Sequence, residues 1–242
     1  MTTLLMTNQN SVDAQLLWRE ATRRDWTVVR LRGLQVPQLT DDEIVIYLEA
    51  LYGEWVAERL NVGLLEPAVD WLPKLPWELR LRDIRISRMD DARMTSGDLF
   101  IKPPNDKSFP AAVYRSGVGL PEEYDGAMPV LVAEPVHWEA EFRCFCLDGE
   151  VRAMSPYHRD SVEGRLTDYH STASERANVH AMVVELLETT GSATPRAIVI
   201  DVGKIAGRGW AVVEANGAWG AGIYGCAPSP VLDVIRQATT KL

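Results

Sequence analysis

VIDVGKIAGRGWAVVEANGAWGAG, residues 199–222, carries three oxygen-bearing side chains, Asp201, Glu214 and Asn216, on two runs that are otherwise apolar. If RAIVIDVG and WAVVEAN pair about Gly207-Arg208-Gly209 in uniform register, Asp201 stands directly opposite Glu214. Asn216 then shares that face, because strand side chains alternate with period two. Two carboxylates facing each other repel unless a cation or a proton lies between them. Magnesium answers that need, since it takes carboxylate and amide oxygens while leaving positions for phosphate and water. A plain hairpin with these residues on its solvent face answers it as well, and the hairpin alone does not choose. The glycines of GAWGAGIYG permit positive φ and let backbone N–H groups approach an anion.

The chain around this hairpin has 242 residues, 46% of them hydrophobic, enough to bury the core of one large domain or two small ones. Its net charge of −9, from 34 acidic and 25 basic residues, disfavours nucleic acid and anionic membrane as partners. The apolar runs fall short of the roughly 20 residues of a membrane span, and MTTLLMTNQN lacks the basic start of a secretory signal. The expectation is a cytoplasmic protein. Cys144 and Cys146 alternate along one strand, too close for an unstrained disulfide, and no zinc-like spacing surrounds them or Cys226. Reduced, buried thiols are expected.

Residues 11–25 open with a Ser or Asp cap and place Leu16, Leu17 and Ala21 at helical spacing, and WTVVRLR follows as a strand. EIVIYLEAL is a second apolar run, GEWVAERLNV a short helix, and three prolines, Pro67, Pro73 and Pro76, block a long helix between residues 64 and 82. A boundary is placed near residue 87. Beyond it come a helix in SRMDDARM and strands in DLFIKPP, PAAVYRSG and MPVLVAEPV. EFRCFCLDGEVRAMSPY forms a hairpin about Asp148-Gly149, a long helix spans about 174–189, and a C-terminal helix covers VLDVIRQATTKL. Trp18, Trp55, Trp71 and Trp77 are expected in core packing. Trp219 either lines a substrate pocket or packs on its turn. His158, His170 and His180 stand outside any motif.

Upstream of the hairpin, FIKPP ends an apolar strand on Lys102, and VLVAEPVHWEAEFR spaces Glu134, His137 and Glu141. An aminopurine needs an acceptor for its amino group and a backbone N–H for its ring, and a ribose needs an acceptor for its hydroxyls. Glu134, the main chain at Val136 and His137, and Glu141 supply these in order, with a lysine beside the phosphates.

The series FIKP, E-x(6)-E and D-x(12)-E-x-N resembles the ATP-grasp superfamily from about residue 80 onward. "FIKPPNDKSF", "EPVHWEAEFRCF", "GEVRAMSPY" and "VVEANGAWGAGIYGC" look more closely like a divergent bacterial and phage clade named for its arginine and lysine signature. The resemblance implies an α+β ATP-grasp fold, two subdomains clamping ATP, after a small α/β domain at 1–87. Within 88–242 it implies a smaller subdomain at 88–133, a hinge at 134–137 and a larger subdomain at 138–242. By the same resemblance Lys102 binds the α- and β-phosphates, Glu134, Val136 and His137 the adenine and Glu141 the ribose. Asp201, Glu214 and Asn216 hold Mg2+, and Arg143 neutralises the transferring phosphate. Arg82 stands near a second phosphate lysine of relatives, with Arg80 and Arg85 competing for that role. Relatives follow FIKP with a glycine-rich loop, whereas PPNDKSFPAA has no glycine, leaving Lys107 and Ser108 to cover the phosphates. The activity implied is an ADP-forming ligase joining a carboxylate to an amine, amino acid or peptide. A small-molecule phosphotransferase and a non-catalytic nucleotide-binding protein are the alternatives. Substrate identity and oligomeric state are not readable from the residues.

Overall fold

Ser11 caps the first helix as its position predicts: its hydroxyl accepts from the Ala14 N–H at 3.1 Å, and α1 runs Val12–Arg23. The computed structural model describes residues 1–8, 10–33, 35–39, 43–105, 107–160 and 162–242, apart from the side chains of 50 and 51. α1 packs on a parallel sheet ordered β2-β1-β3, with β1 at Thr2–Met6, β2 at Thr27–Arg30 and β3 at Glu43–Tyr47. β1, which the sequence pattern leaves unassigned, is the central strand. Leu4 faces the cluster built with α1, and Leu5 faces the one built with Val56 of α2, Ala50–Leu60. A strand covered on both faces has no apolar–polar alternation to announce it.

The proline-punctuated stretch after β4, Val62–Leu64, makes only two single-turn helices, α3 at Trp71–Lys74 and α4 at Trp77–Arg80. β5, Ile84–Arg88, then joins an antiparallel sheet ordered β5-β8-β6-β7. The other members are β6 at Asp98–Lys102, β7 at Ala112–Arg115 and β8 at Pro129–Ala133, with α5, Met89–Arg93, beside them. Residue 87, near which the boundary is expected, lies inside the paired strand β5.

The larger sheet, ordered β11-β10-β9-β12-β13, is antiparallel throughout. β9, Trp138–Leu147, and β10, Glu150–Arg159, turn at Asp148 and Gly149, which both have positive φ. β11 is Val162–Glu163, β12 Ala197–Ile205 and β13 Gly209–Gly217. One face packs Ala140, Phe142, Cys144, Ile198 and Ile200 against Val179, Val183 and Leu186 of α6, Ala173–Thr190, which Thr172 and Glu175 begin with a capping box. All three cysteines are buried free thiols. The other face carries Phe145 and Val199 against α7, Pro228–Arg236, and beyond them Glu141, Arg143 and Asp201.

Two expectations are corrected here. The C-terminal helix ends at Arg236, and β14, Thr239–Lys241, pairs with β4 instead. The Leu65 N–H donates to the Ala238 carbonyl at 2.9 Å, and two β-branched threonines continue as a strand. Of the four tryptophans expected in core packing, Trp71 is buried, but Trp18 and Trp77 are 45% and 47% exposed. Guanidinium groups cover what the core does not: Arg30 lies 5.2 Å from the Trp18 ring and Arg80 5.4 Å from that of Trp77.

Asp201 does stand opposite Glu214, yet the uniform register is broken by one residue, because Val202 faces Val212. The bulge presents two successive carbonyls to one donor group. Buried Arg82 donates to Val212 at 2.7 Å and to Val213 at 2.9 Å. Next to the bulge, Gly203 lets the Trp138 ring lie flat on the sheet; a Cβ there would stand 2.5 Å from Trp138 Cε3 and 3.0 Å from Val213 Cγ2. Gly203→Ala should lower unfolding free energy by about 1–3 kcal/mol through overpacking, seen as a lower denaturant midpoint with an unchanged slope.

Candidate functional site

One row of residues crosses the larger sheet from β10 to β13: Ser155, Arg143, Asp201, Glu214. The guanidinium of Arg143 clamps fully buried Asp201 bidentately, Nε to Oδ1 at 2.9 Å and Nη2 to Oδ2 at 2.6 Å, and its Nη1 donates to the Gly222 carbonyl at 3.0 Å. Tyr157 and Tyr224, stacked at 5.3 Å, lie 5.4 and 4.5 Å from the same guanidinium. Glu214 receives its counter-ion from the opposing sheet, in a hydrogen-bonded ion pair with Lys102 at the end of β6. Asn216 Nδ2 donates to Glu214 Oε1 at 3.0 Å. The protein thus answers each of the two facing carboxylates with a cation of its own.

These contacts set the titration of the site. Burial works to raise the Glu214 carboxyl, but Lys102 and Asn216 outweigh it and hold the group at about 2. Burial pushes Asp201 up, with Arg143 pulling against it. Burial likewise raises Glu141 and keeps the Tyr157 phenol protonated. Arg82, the most desolvated of the candidate phosphate arginines, falls to about 10 through burial.

Two cavities meet at Lys102, Ala111 and Glu214. The smaller, about 320 Å3, has a mainly apolar wall that includes Phe100, Leu131, Val136 and Trp138. The larger, about 530 Å3, is bounded by Arg143, Asn216, Tyr157 and Tyr224, with Lys107 and Ser108 of the glycine-free loop on its wall. Asn105 of that loop donates to the Pro67 carbonyl at 2.8 Å.

The structure brings most of the sequence-derived residues to these walls; Asp201, His137 and Glu141 line neither of them. Glu134 lines the smaller cavity, but its carboxylate pairs with Arg208 from the hairpin tip, Nη1 to Oε2 at 3.0 Å. Val136 lines that cavity, whereas His137 is exposed and its carbonyl accepts from Ala206 at 3.0 Å. Glu141 lies on neither wall. Tyr157 donates to it at 2.7 Å and His158 Nδ1 stands 3.2 Å away. Arg82 lines the smaller cavity with its guanidinium on the bulge carbonyls, and Arg80 is spent on the Leu75 and Arg82 carbonyls. Trp219 lines the larger cavity and packs on its own turn at Gly217, with its ring also against Gly53 of α2.

Sequence reasoning missed Arg208, Tyr224, Glu66 and Asp13. Arg208 sits in a turn, where a charged residue is ordinary. Glu66, whose carboxyl burial pushes up, reaches the larger cavity from the irregular stretch after β4. Asp13 reads as a cap, yet its Oδ2 accepts from the Ile223 N–H at 2.8 Å, tying α1 to the glycine-rich run.

A family model, the ATP-grasp domain of the arginine-and-lysine clade, family 2, matches residues 79–234. The chain belongs to this ATP-grasp family. Its fold is similar to that of the RimK-domain ATP-grasp protein of Sphaerobacter thermophilus, with a TM-score of 0.61 at 14% identity over 97% of this chain and 99% of that one. The D-alanine–D-alanine ligase of Bacillus anthracis gives 0.51 at 12% identity, covering 98% and 97%. The ATP-grasp ligase PsnB complexed with a minimal precursor gives 0.51 at 13%, covering 96% and 98%. At these identities the likeness is one of fold. No curated protein matches the sequence. In this ATP-grasp protein the four-stranded and five-stranded sheets meet where Lys102 reaches Glu214. No helix among the described residues is long and apolar enough to cross a membrane.

Asp201, Glu214 and Asn216 offer two carboxylates and one amide oxygen on adjoining strands, the donor types a hard divalent cation takes, but both Asp201 oxygens rest on Arg143 and Glu214 rests on Lys102. Among the described residues no cluster of three or more His, Cys, Asp or Glu is placed to hold a metal ion. The Glu214 carboxyl lies below its ordinary value of 4.5, so its ionised form stabilises the folded chain above about pH 4.5, and that contribution is lost as pH falls toward about 2. Lys102→Met should remove it. Acid unfolding curves of wild type and variant should therefore converge between about pH 4.5 and 2, while differing at neutral pH.

Proposed function

We propose that this ATP-grasp protein is an ADP-forming carboxylate–amine ligase. What carries the reading is the pair of cavities joined at Lys102 and Glu214, one mainly apolar and one rich in charge and hydroxyls. A purine fits the apolar cavity against Val136 and Trp138, with the Glu134 carboxylate within reach of its amino group once Arg208 shares it. Lys102, released from Glu214, contacts the phosphates at the junction. Arg82 lends its charge from behind the wall, and Lys107 and Ser108 cover the terminal phosphates from the loop.

Asp201, Glu214 and Asn216 would hold Mg2+, which when bound neutralises phosphate charge. A carboxylate oxygen of the substrate attacks the γ-phosphorus, the bond to the β-phosphate oxygen breaks, and ADP leaves. The amine then attacks the acyl carbon, loses a proton, and expels phosphate as the amide forms. Arg143, fixed by Asp201 and Gly222, faces this step with a guanidinium that needs no reorganisation. Glu141 acts through Tyr157, and His137 supplies hinge main chain rather than a side-chain contact.

ADP release should require a carboxylate and rise further with an amine, measured across a panel of both. A panel in which only alcohols elicit ADP would overturn the ligase reading. Lys102→Ala should abolish the thermal stabilisation given by an ATP analogue with Mg2+, while its circular dichroism matches wild type.

A further inference from the structure

An amine meets an acyl group at neutral pH as an ammonium, which has no lone pair until a base removes a proton. The wall of the 530 Å3 cavity carries two carboxylates, Glu214 and Glu66. Glu214 is held by Lys102 and by Asn216. Burial keeps the Tyr157 phenol on the same wall protonated, and it donates to Glu141. Arg143 is committed to Asp201 and Gly222. Glu66 is different: among the described residues its carboxylate makes no hydrogen bond and no ion pair.

The side chain of Glu66 is unpaired, yet its backbone is fixed on both flanks. The Leu65 N–H donates to the Ala238 carbonyl at 2.9 Å, and Asn105 Nδ2 donates to the Pro67 carbonyl at 2.8 Å. The Leu65 carbonyl lies against Gly217, where a Cβ would stand 3.0 Å from its oxygen. Residue 66 is thereby held between the end of α7, the glycine-free loop and the residue after Asn216. Burial pushes its carboxyl above the usual value of 4.5, and the like charge of Glu54 on α2 pushes the same way. A half-buried carboxylate without a counter-ion costs folding free energy and contributes none, which is the pattern expected of a group kept for chemistry.

We propose that Glu66 is the general base of the amide-forming step. It takes one proton from the ammonium and so frees the nitrogen lone pair. That pair forms the bond to the acyl carbon, the acyl carbon–oxygen bond breaks, and its electrons leave on the phosphate. The second proton shed by nitrogen goes with the departing phosphate. The step therefore ends on the amide, hydrogenphosphate and a neutral Glu66, which returns its proton to water. This role rests on the ligase reading and adds to it the residue that makes the amine a nucleophile.

The test uses the full chain with the carboxylate and amine that elicit most ADP in the panel, and compares that amine with hydroxylamine. Hydroxylamine is largely unprotonated at neutral pH, so it captures an acyl phosphate as the hydroxamate without a base. Glu66→Gln should lower kcat for the amide by about a hundredfold or more, with the KM of the amine and the affinity for an ATP analogue close to wild type. Its hydroxamate formation should persist. Glu66→Asp, which keeps a carboxylate, should recover part of the amide rate. The proposal is overturned if Glu66→Gln forms the amide at the wild-type rate, or if amide and hydroxamate fall together. It is overturned equally if the KM of the amine rises while kcat holds, which would make Glu66 a binding group. Wild type that releases no carboxylate-dependent ADP would overturn the ligase reading and this role with it. Carboxylate-dependent ADP alongside an unimpaired Glu66→Gln would overturn this role alone.

Discussion

The buried pair of Arg143 and Asp201 is the interaction on which the rest of the site is built. Asp201 has no solvent exposure, so its charge is tolerable only because a planar fork with matching geometry faces it across the strand pair. That fork has a further donor, and it goes to the Gly222 carbonyl. The position of the glycine-rich run is thereby referred to the middle of the larger sheet. Tyr157 and Tyr224 shield the guanidinium from water, and Glu141 and the Gly222–Tyr224 backbone in turn hold the tyrosines. Removing either charge leaves its partner uncompensated in the interior, a far greater loss than a surface pair would cause.

A second ion pair does different work. Lys102 and Glu214 come from separate sheets, so their attraction holds the four-stranded sheet against the five-stranded one at the point where the cavities join. Arg208 and Glu134 repeat the arrangement between β8 and β9, with the hairpin tip gripping the chain between the sheets. Because this last pair is partly exposed, it is the weaker of the two and the easier to exchange for a ligand. In the proposed ligase these are the contacts that a nucleotide's own charges and amino group would replace.

Much of this was legible from residues alone, for physical reasons that differ by element. The facing carboxylates were found because charge on an apolar strand is rare and strand alternation places it on a face. The bulge at Val213 was invisible, since it depends on Arg82, more than a hundred residues earlier, donating to two carbonyls. β1 escaped because a central strand buried on both sides has no period to detect, and β14 because a threonine pair after a helix becomes a strand only when a partner edge is near. Glu141 illustrates a different limit: its spacing matches the ribose carboxylate of the resemblance, but spacing does not reveal that Tyr157 and His158 are its neighbours. Of the family assignment, the residues that carry it, Lys102, Glu134, Asp201 and Glu214, all reach the cavity walls or the row of charges beside them.

The short pairing of β4 with β14 has a consequence for how the molecule comes into being. Residues 62–64 are synthesised well before their partners at 239–241, with the whole of the larger sheet between them. α7, which covers one face of the N-terminal sheet, is likewise made after that sheet. The N-terminal sheet and β4 therefore wait, with an open strand edge and an uncovered apolar face, until the two later sheets have been made. Their completion comes after those sheets rather than before them.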